Sequence, residues 1–275
     1  MLGGITMALN LMYGKDDENR NLRTAFDSDA ANYDAIRPRY CPELFREVVE
    51  SAGLQPGKCC LEIGPGTGQA TEPILTAGCT VTAVELGKHL ADFLSKKYAR
   101  NHNLTVWQGD FLQYPEDEQF DLIFSATAFH WIPREEGLAK SMRLLKPGGT
   151  LALFWNHPLP GGGPGTPGDL MLQRVYAKYG KGRRDNPFDG SSCPAYCDAL
   201  REAGLTNVRS QLFEAWRYLD GDQYVMLLRS YSDHAKMTPQ EQNNLEQDMK
   251  NAILELGGAL PIRDVMDLYI AKKAE

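Results

Sequence analysis

Leu61-Glu62-Ile63-Gly64-Pro65-Gly66-Thr67-Gly68-Gln69 places three glycines at alternate positions directly behind an apolar run. Cys59 to Ile63 is short, apolar and strand-like, and residues 69–77 carry a helical pattern closed by Gly78. A glycine-rich turn between strand and helix lets a ligand approach the backbone, and the helix N-terminus favours a negative group. The dinucleotide fingerprint, G-x-G-x-x-G/A, needs a small last residue for helix–strand packing. Counted from Gly64 that position is Gln69, so the spacing here is G-x-G-x-G instead. Glu62 adds a charge to an apolar run, a placement that asks for a cationic partner.

Outward from this turn, strands and helices alternate. Strands are expected at Thr80–Val84, Leu104–Trp107, Phe120–Phe124 and Thr150–Trp155, with helices over 88–99 and 134–145. Glu85 closes the second strand, where an acid can accept bonds from ribose hydroxyls. Upstream, helices are expected over 20–35 and from Pro42 to Ala52. Such alternation implies right-handed βαβ units and a parallel sheet covered on both faces. Residues 157–168, HPLPGGGPGTPG, break the pattern and exclude helix or strand interior. Either a linker or a lid over the sheet's carboxyl edge accounts for them. Helices over 169–180, 194–203, 221–230 and 239–256 and strands at Val208–Tyr218 and Val265–Ala271 complete the chain.

The 275 residues, 43% hydrophobic, suffice for a sizeable core. A net charge of −7 argues against a general nucleic-acid binder. No apolar run is long enough to span a membrane, and Met1–Tyr13 lacks a basic n-region, so a soluble cytoplasmic protein is expected. The six cysteines are expected as reduced thiols, and Cys193-Pro-Ala-Tyr-Cys197 without a second Cys or His pair predicts no metal.

The glycine segment resembles the first signature of class I S-adenosylmethionine (SAM)-dependent methyltransferases. Three further landmarks agree in order: Glu85, Gly109-Asp110-Phe111, and Leu144-Leu145-Lys146-Pro147-Gly148-Gly149. Asn32 to Tyr40 and Phe129-His130-Trp131-Ile132 resemble the small-molecule branch that includes trans-aconitate and ubiquinone-biosynthesis methyltransferase-like enzymes. The resemblance implies an α/β, Rossmann-like fold with a seven-stranded, mostly parallel sheet, helices on both faces and a C-terminal antiparallel strand. It implies a cap at 1–40 and a catalytic domain at 41–275, with a lid or substrate insertion at 157–205 and C-terminal strands and helices at 206–275.

The same resemblance implies site roles. Gly64, Pro65, Gly66, Thr67, Gly68 and Gln69 pass under the methionine part of SAM, with Glu62 near its amino group. Glu85 and Leu86 meet the ribose, Asp110 and Phe111 the adenine, and Ser125 and Ala126 line the same site. Tyr33 and Arg37, one helical turn apart, fold over the SAM carboxylate; a plain helix end before Pro38 is the alternative for Arg37. His130, Trp131 and His157 lie on the acceptor side, His130 as either base or packing residue and Trp131 as either pocket wall or core. By sequence distance alone, Arg37, Arg39, Arg183 and Arg184 are within reach of these segments, which suits a carboxylate-bearing acceptor; a solvated basic surface is the alternative for Arg183 and Arg184.

The function expected is methyl transfer to a small-molecule acceptor, with S-adenosylhomocysteine as product and no nucleic-acid or membrane partner. Two other classes compete: a non-catalytic SAM-binding module, and a nicotinamide-dependent oxidoreductase, which Gln69 disfavours. The acceptor atom, the need for a base and the oligomeric state stay open.

Overall fold

The computed structural model describes residues 34, 39–180, 187–229, 234 and 237–275. Helix α1 (Pro42–Ala52) precedes β1 (Cys59–Ile63), α2 (Thr71–Thr76), β2 (Thr80–Glu85), α3 (Lys88–Lys97) and β3 (Leu104–Gln108). There follow β4 (Phe120–Ala126), α4 (Arg134–Leu144), β5 (Leu145–Pro160), α5 (Pro167–Ala177) and α6 (Cys193–Glu202). The chain ends with β6 (Thr206–Leu219), α7 (Gly221–Arg229), α8 (Pro239–Glu255) and β7 (Leu260–Lys272).

The seven strands form one sheet in the order β3-β2-β1-β4-β5-β7-β6. Pairings from β3 through β5 are parallel, and β7 runs antiparallel to both β5 and β6. The expected seven-stranded architecture is therefore present. The strand order reverses between β1 and β4, and ligands of such sheets collect at the carboxyl ends beside that switch.

Alternation of side chains sends each strand to two cores. On one face Leu61, Ile63, Ile123, Leu151 and Leu153 pack with Leu138 and Leu144 of α4 and Leu200 of α6. On the other Cys60, Leu122, Phe124, Ala152 and Phe154 pack with Leu44 and Val48 of α1 and Ile74 of α2. A third cluster joins Leu172 of α5, Leu228 of α7 and Met249 of α8 to Leu260 and Ile262. Because Pro160, the last residue of β5, pairs with Ile262, this helical cover sits beyond the carboxyl edge.

One expectation needs correction. Residues 157–160 are strand interior, since β5 stays in register with β7 from Thr150↔Lys272 through Pro160↔Ile262. Pairing with β4 stops at Phe154, leaving the opposite side of β5 open. The Asn156 N–H points to that side, donating to Thr127 Oγ1 at 3.3 Å. Pro158 and Pro160 share its parity, so their missing N–H groups fall where no ladder partner exists. The break comes only at Gly161, where a Cβ would stand 2.4 Å from the Asp169 nitrogen.

Among the described residues no helix is long and apolar enough to cross a membrane, and no metal-holding group of His, Cys, Asp and Glu occurs. All six cysteines are unpaired, with Cys193 and Cys197 buried on α6. Tyr33, Arg37, Arg183, Arg184 and nearly all of the 1–40 segment lie outside the described residues.

Candidate functional site

Where β1 leaves the sheet, the Gly64 N–H donates to Val84 O at 2.9 Å, and the chain turns. Gly64, Gly66 and Gly68 have φ of 66°, 58° and 95°, a region that L side chains resist. Close packing adds a second demand. A Cβ on Gly64 would lie 2.5 Å from that of Ala128, and one on Gly68 would lie 2.8 Å from Leu94 Cδ1. The turn is closed by Gly68 N–H to Pro65 O (3.0 Å) and by Gln69 Nε2 to Thr67 Oγ1 (2.6 Å). Lys97 Nζ donates to Thr67 O at 2.9 Å and to Asp34 at 2.7 Å, tying the described part of the upstream segment to this turn.

Two carboxylates flank the glycines. Glu62 is fully buried; its Oε2 accepts from Thr71 Oγ1 at 2.5 Å, while Oε1 has no hydrogen-bond partner. Burial, with Glu85 nearby adding to it, pushes its carboxyl up to about 8. Glu85 accepts from the Gly66 N–H at 3.0 Å and the Gly87 N–H at 2.8 Å, one on each oxygen. Beside them Leu86 is half-buried, its carbonyl accepting from Gln108 Nε2 at 3.1 Å.

Past β3, Asp110 Oδ1 caps a short 3₁₀ turn by accepting from the Leu112 N–H at 2.9 Å, and Phe111 is buried. Beneath this loop lies a residue that spacing did not reveal. Lys140 of α4 is 4% exposed and donates to the carbonyls of Leu112 (2.8 Å) and Tyr114 (2.5 Å). Its ammonium sits 5.9 Å from the Phe111 ring centroid.

At the end of β4 the outcome is mixed. Ser125 is fully buried and donates to Ile63 O at 2.8 Å, so its hydroxyl serves the β1–β4 contact. Ala126 ends the strand half-buried. Thr127 adopts φ 52°, unusual for a β-branched residue. Its hydroxyl meets Tyr40 Oη at 2.6 Å and accepts from the Asn156 N–H. Arg39 is paired with Glu72 at the surface (2.8 Å).

His130 sits in the next 3₁₀ turn and Trp131 leans on it, ring centroids 4.7 Å apart. The Trp155 indole N–H donates to His130 Nδ1 at 3.0 Å. Since indole only donates, His130 carries its proton on Nε2. Burial, and secondarily the nearby His157, push this imidazole down to about 4. It is therefore neutral near pH 7, with a proton to donate and its one lone pair occupied.

His157 stands on β5 with its ring stacked on Phe188, centroids 3.8 Å apart. Its Nε2 lies 3.0 Å from Oδ1 of Asp267 on β7. The turn, Glu62, Glu85 and Asp110 thus gather at the ends of β1–β3, while His130, Trp131 and His157 gather at the ends of β4 and β5.

Comparison with known proteins points to methyltransferases. Residues 61–153 match the family model described as a methyltransferase domain. An uncharacterised methyltransferase-like protein of Schizosaccharomyces pombe is 28% identical over 236 residues, covering 84% of this chain and 86% of that protein. Other curated relatives named as methyltransferases align over about half of their own length. Among solved structures, one named as a type II methyltransferase from Anaeromyxobacter dehalogenans superposes with a TM-score of 0.58 at 18% identity, covering 86% of this chain and 98% of that one. Phosphoethanolamine N-methyltransferase 2 of Haemonchus contortus, in complex with phosphomonomethylethanolamine and S-adenosylhomocysteine, gives 0.53 at 16% identity, covering 90% of this chain and 58% of that one.

Proposed function

We propose that this chain, which belongs to the class I SAM-dependent methyltransferases, moves a methyl group from SAM to a small-molecule acceptor and releases S-adenosylhomocysteine. The observation that carries this reading is Glu62: a fully buried carboxylate with an unpartnered oxygen, set under a glycine turn. A buried carboxyl with an orphaned oxygen is costly, and a ligand ammonium group relieves it by pairing with the ionised form. The amino group of SAM fits that place, and Glu85 fits the two ribose hydroxyls.

Bound SAM supplies a methyl carbon already activated by the sulfonium. The chain's task is then to orient the acceptor and exclude water. Thr127, His130 and His157 lie toward the carboxyl ends of β4 and β5, the edge beyond which α5, α7 and α8 form a helical cover. That cover, which takes α5 from the 157–205 segment, suits a small acceptor better than a nucleic-acid duplex, as does the net charge of −7. The H. contortus enzyme of similar fold is found in complex with a small amine, phosphomonomethylethanolamine, which supports the reading. Unpaired cysteines suit a cytoplasmic location.

The test is titration calorimetry of the full chain with SAM, S-adenosylhomocysteine and NAD, followed by transfer of labelled methyl to a metabolite collection. SAM binding and transfer are expected. NAD binding in place of SAM, or SAM binding with no transfer to any small molecule, overturns the proposal.

A further inference from the structure

Asp267 is fully buried on β7, on the same sheet face as Trp155 and His157. Its Oδ1 faces His157 Nε2 at 3.0 Å, and its Oδ2 accepts from Tyr269 Oη at 2.8 Å. Tyr269 in turn lies 3.3 Å from Cys193 Sγ and stacks on Tyr196, centroids 4.2 Å apart. A carboxylate accepting on both oxygens fixes the His157 tautomer, with the proton on Nε2 and the lone pair on Nδ1. Phe188 holds the ring flat, yet 22% of the His157 side chain stays exposed, whereas Asp267 shows none. No hydrogen bond among the described residues occupies Nδ1 of His157.

His130, close enough to repel a charge on His157, has the opposite polarity, because Trp155 takes its lone pair. One imidazole donates and the other accepts at the same edge of the sheet. A buried Asp–His pair with a partly exposed ring is the arrangement that activates a protic nucleophile. A merely structural histidine has no need of a buried, doubly bonded carboxylate behind it.

We propose that His157, positioned by Asp267, is the general base that deprotonates the methyl acceptor, and that the acceptor is therefore a proton-bearing nucleophile, a hydroxyl or an ammonium. This rests on the methyltransferase reading. The acceptor's proton passes to His157 Nδ1. The lone pair so freed forms the new bond to the methyl carbon, and the carbon–sulfur bond breaks with its electron pair kept by sulfur. Asp267 stabilises the imidazolium, which returns its proton to solvent. A carboxylate or tertiary amine acceptor, already deprotonated, has no use for such a base.

Among the described residues, few titratable groups face His157. Asp267 and Tyr269 lie on β7, His130 follows β4, and Cys193 of α6 stands behind Tyr269. Arg263, further along β7, is held by Glu214 at 3.1 Å.

The experiment uses the full chain with ¹⁵N-labelled histidines, its Asp267→Asn and His157→Gln variants, and thermal melts to confirm folding. Long-range ¹H–¹⁵N spectra are expected to show His157 with the proton on Nε2 in the wild type, and an altered tautomer balance in Asp267→Asn. Turnover is read with SAM and catechol, 4-nitrophenol and ethanolamine as proton-bearing acceptors, against benzoate and trimethylamine. Only the proton-bearing set is expected to react. His157→Gln should lower kcat by about 10²–10⁴-fold with SAM affinity unchanged. Asp267→Asn should lower kcat with SAM affinity unchanged, by less than His157→Gln does. A proton on Nδ1 of wild-type His157, a His157 tautomer balance indifferent to Asp267→Asn, or full turnover in folded His157→Gln overturns the dyad alone. Failure of the wild-type chain to bind SAM instead overturns the methyltransferase reading beneath it.

Discussion

The Trp155 indole and His130 are joined by a 3.0 Å hydrogen bond in which the imidazole Nδ1 accepts. This bond decides between the two roles open to His130 from sequence. A base needs a free lone pair, and here the indole holds it. His130 is left to orient an acceptor through its Nε2–H, or to hold the edge of the sheet.

The same burial gives His130 an acid signature. Its folded pKa, about 4, lies below the unfolded value near 6.5. Between those values the unfolded chain binds the extra proton, so stability rises with pH across that window. The contribution is full above about pH 6.5 and is lost as pH falls toward 4. His130→Asn, which cannot titrate, should flatten this part of the stability curve in urea melts between pH 4 and 7. A variant as acid-sensitive there as the wild type would contradict the assignment.

Glu85 bonds the glycine turn to the segment after β2 through Gly66 and Gly87. Replacing it with alanine should weaken SAM binding by about 1.5–3 kcal/mol, one to two decades, as charge-assisted bonds are lost. Glu85→Gln keeps one acceptor oxygen and should lose less. Calorimetry on both, with melts to confirm folding, separates a ribose contact from a purely structural one: equal SAM affinity in folded Glu85→Ala would remove the ribose role.

Glu62 links pH to ligand binding. Burial holds its carboxyl at about 8, so near pH 7 the free chain is mostly protonated there. An ammonium group against Oε1 favours the carboxylate and lowers that value. Binding of SAM should therefore release a proton from this site, with the release fading above about pH 8 and again well below the usual carboxylate range. Calorimetry in buffers of different ionisation enthalpy measures it. Proton uptake, or the same release in Glu62→Gln, would show that Glu62 does not meet the amino group.

What sequence reveals and what it hides follow from chain distance. Glu62, the three glycines and Glu85 lie within one βαβ unit, where spacing alone brings them together. Lys140 and Asp267 carry no such signal, because Lys140 looks like a surface helix residue and Asp267 like a break in an apolar strand. Their partners, Leu112 and His157, are far away in the chain. Strand parity turns the Ser125 hydroxyl to Ile63 O, a bond that spacing along the chain does not show. The two prolines that follow His157 closely read as a break in regular structure, and the open side of β5 explains how they fit a strand. The Tyr33 and Arg37 expectation lies outside the described residues.

Lys140 offers a test of how the adenine end is held. Lys140 is 4% exposed, and its ammonium bonds two carbonyls of the 3₁₀ loop, with Glu116 at 3.6 Å. Few groups can replace it, since a buried carbonyl left without a donor costs roughly 1–3 kcal/mol. Lys140→Met keeps the apolar stem against Phe111 but deletes both bonds. The variant should lose stability of that order, and the loop carrying Asp110 should exchange its amide hydrogens faster. If the loop positions Asp110 and the Phe111 backbone for adenine, SAM affinity should fall with it, whereas the methyl acceptor's KM should hardly change. Lost stability with unchanged SAM affinity would leave Lys140 as a brace for the core and detach this loop from cofactor binding.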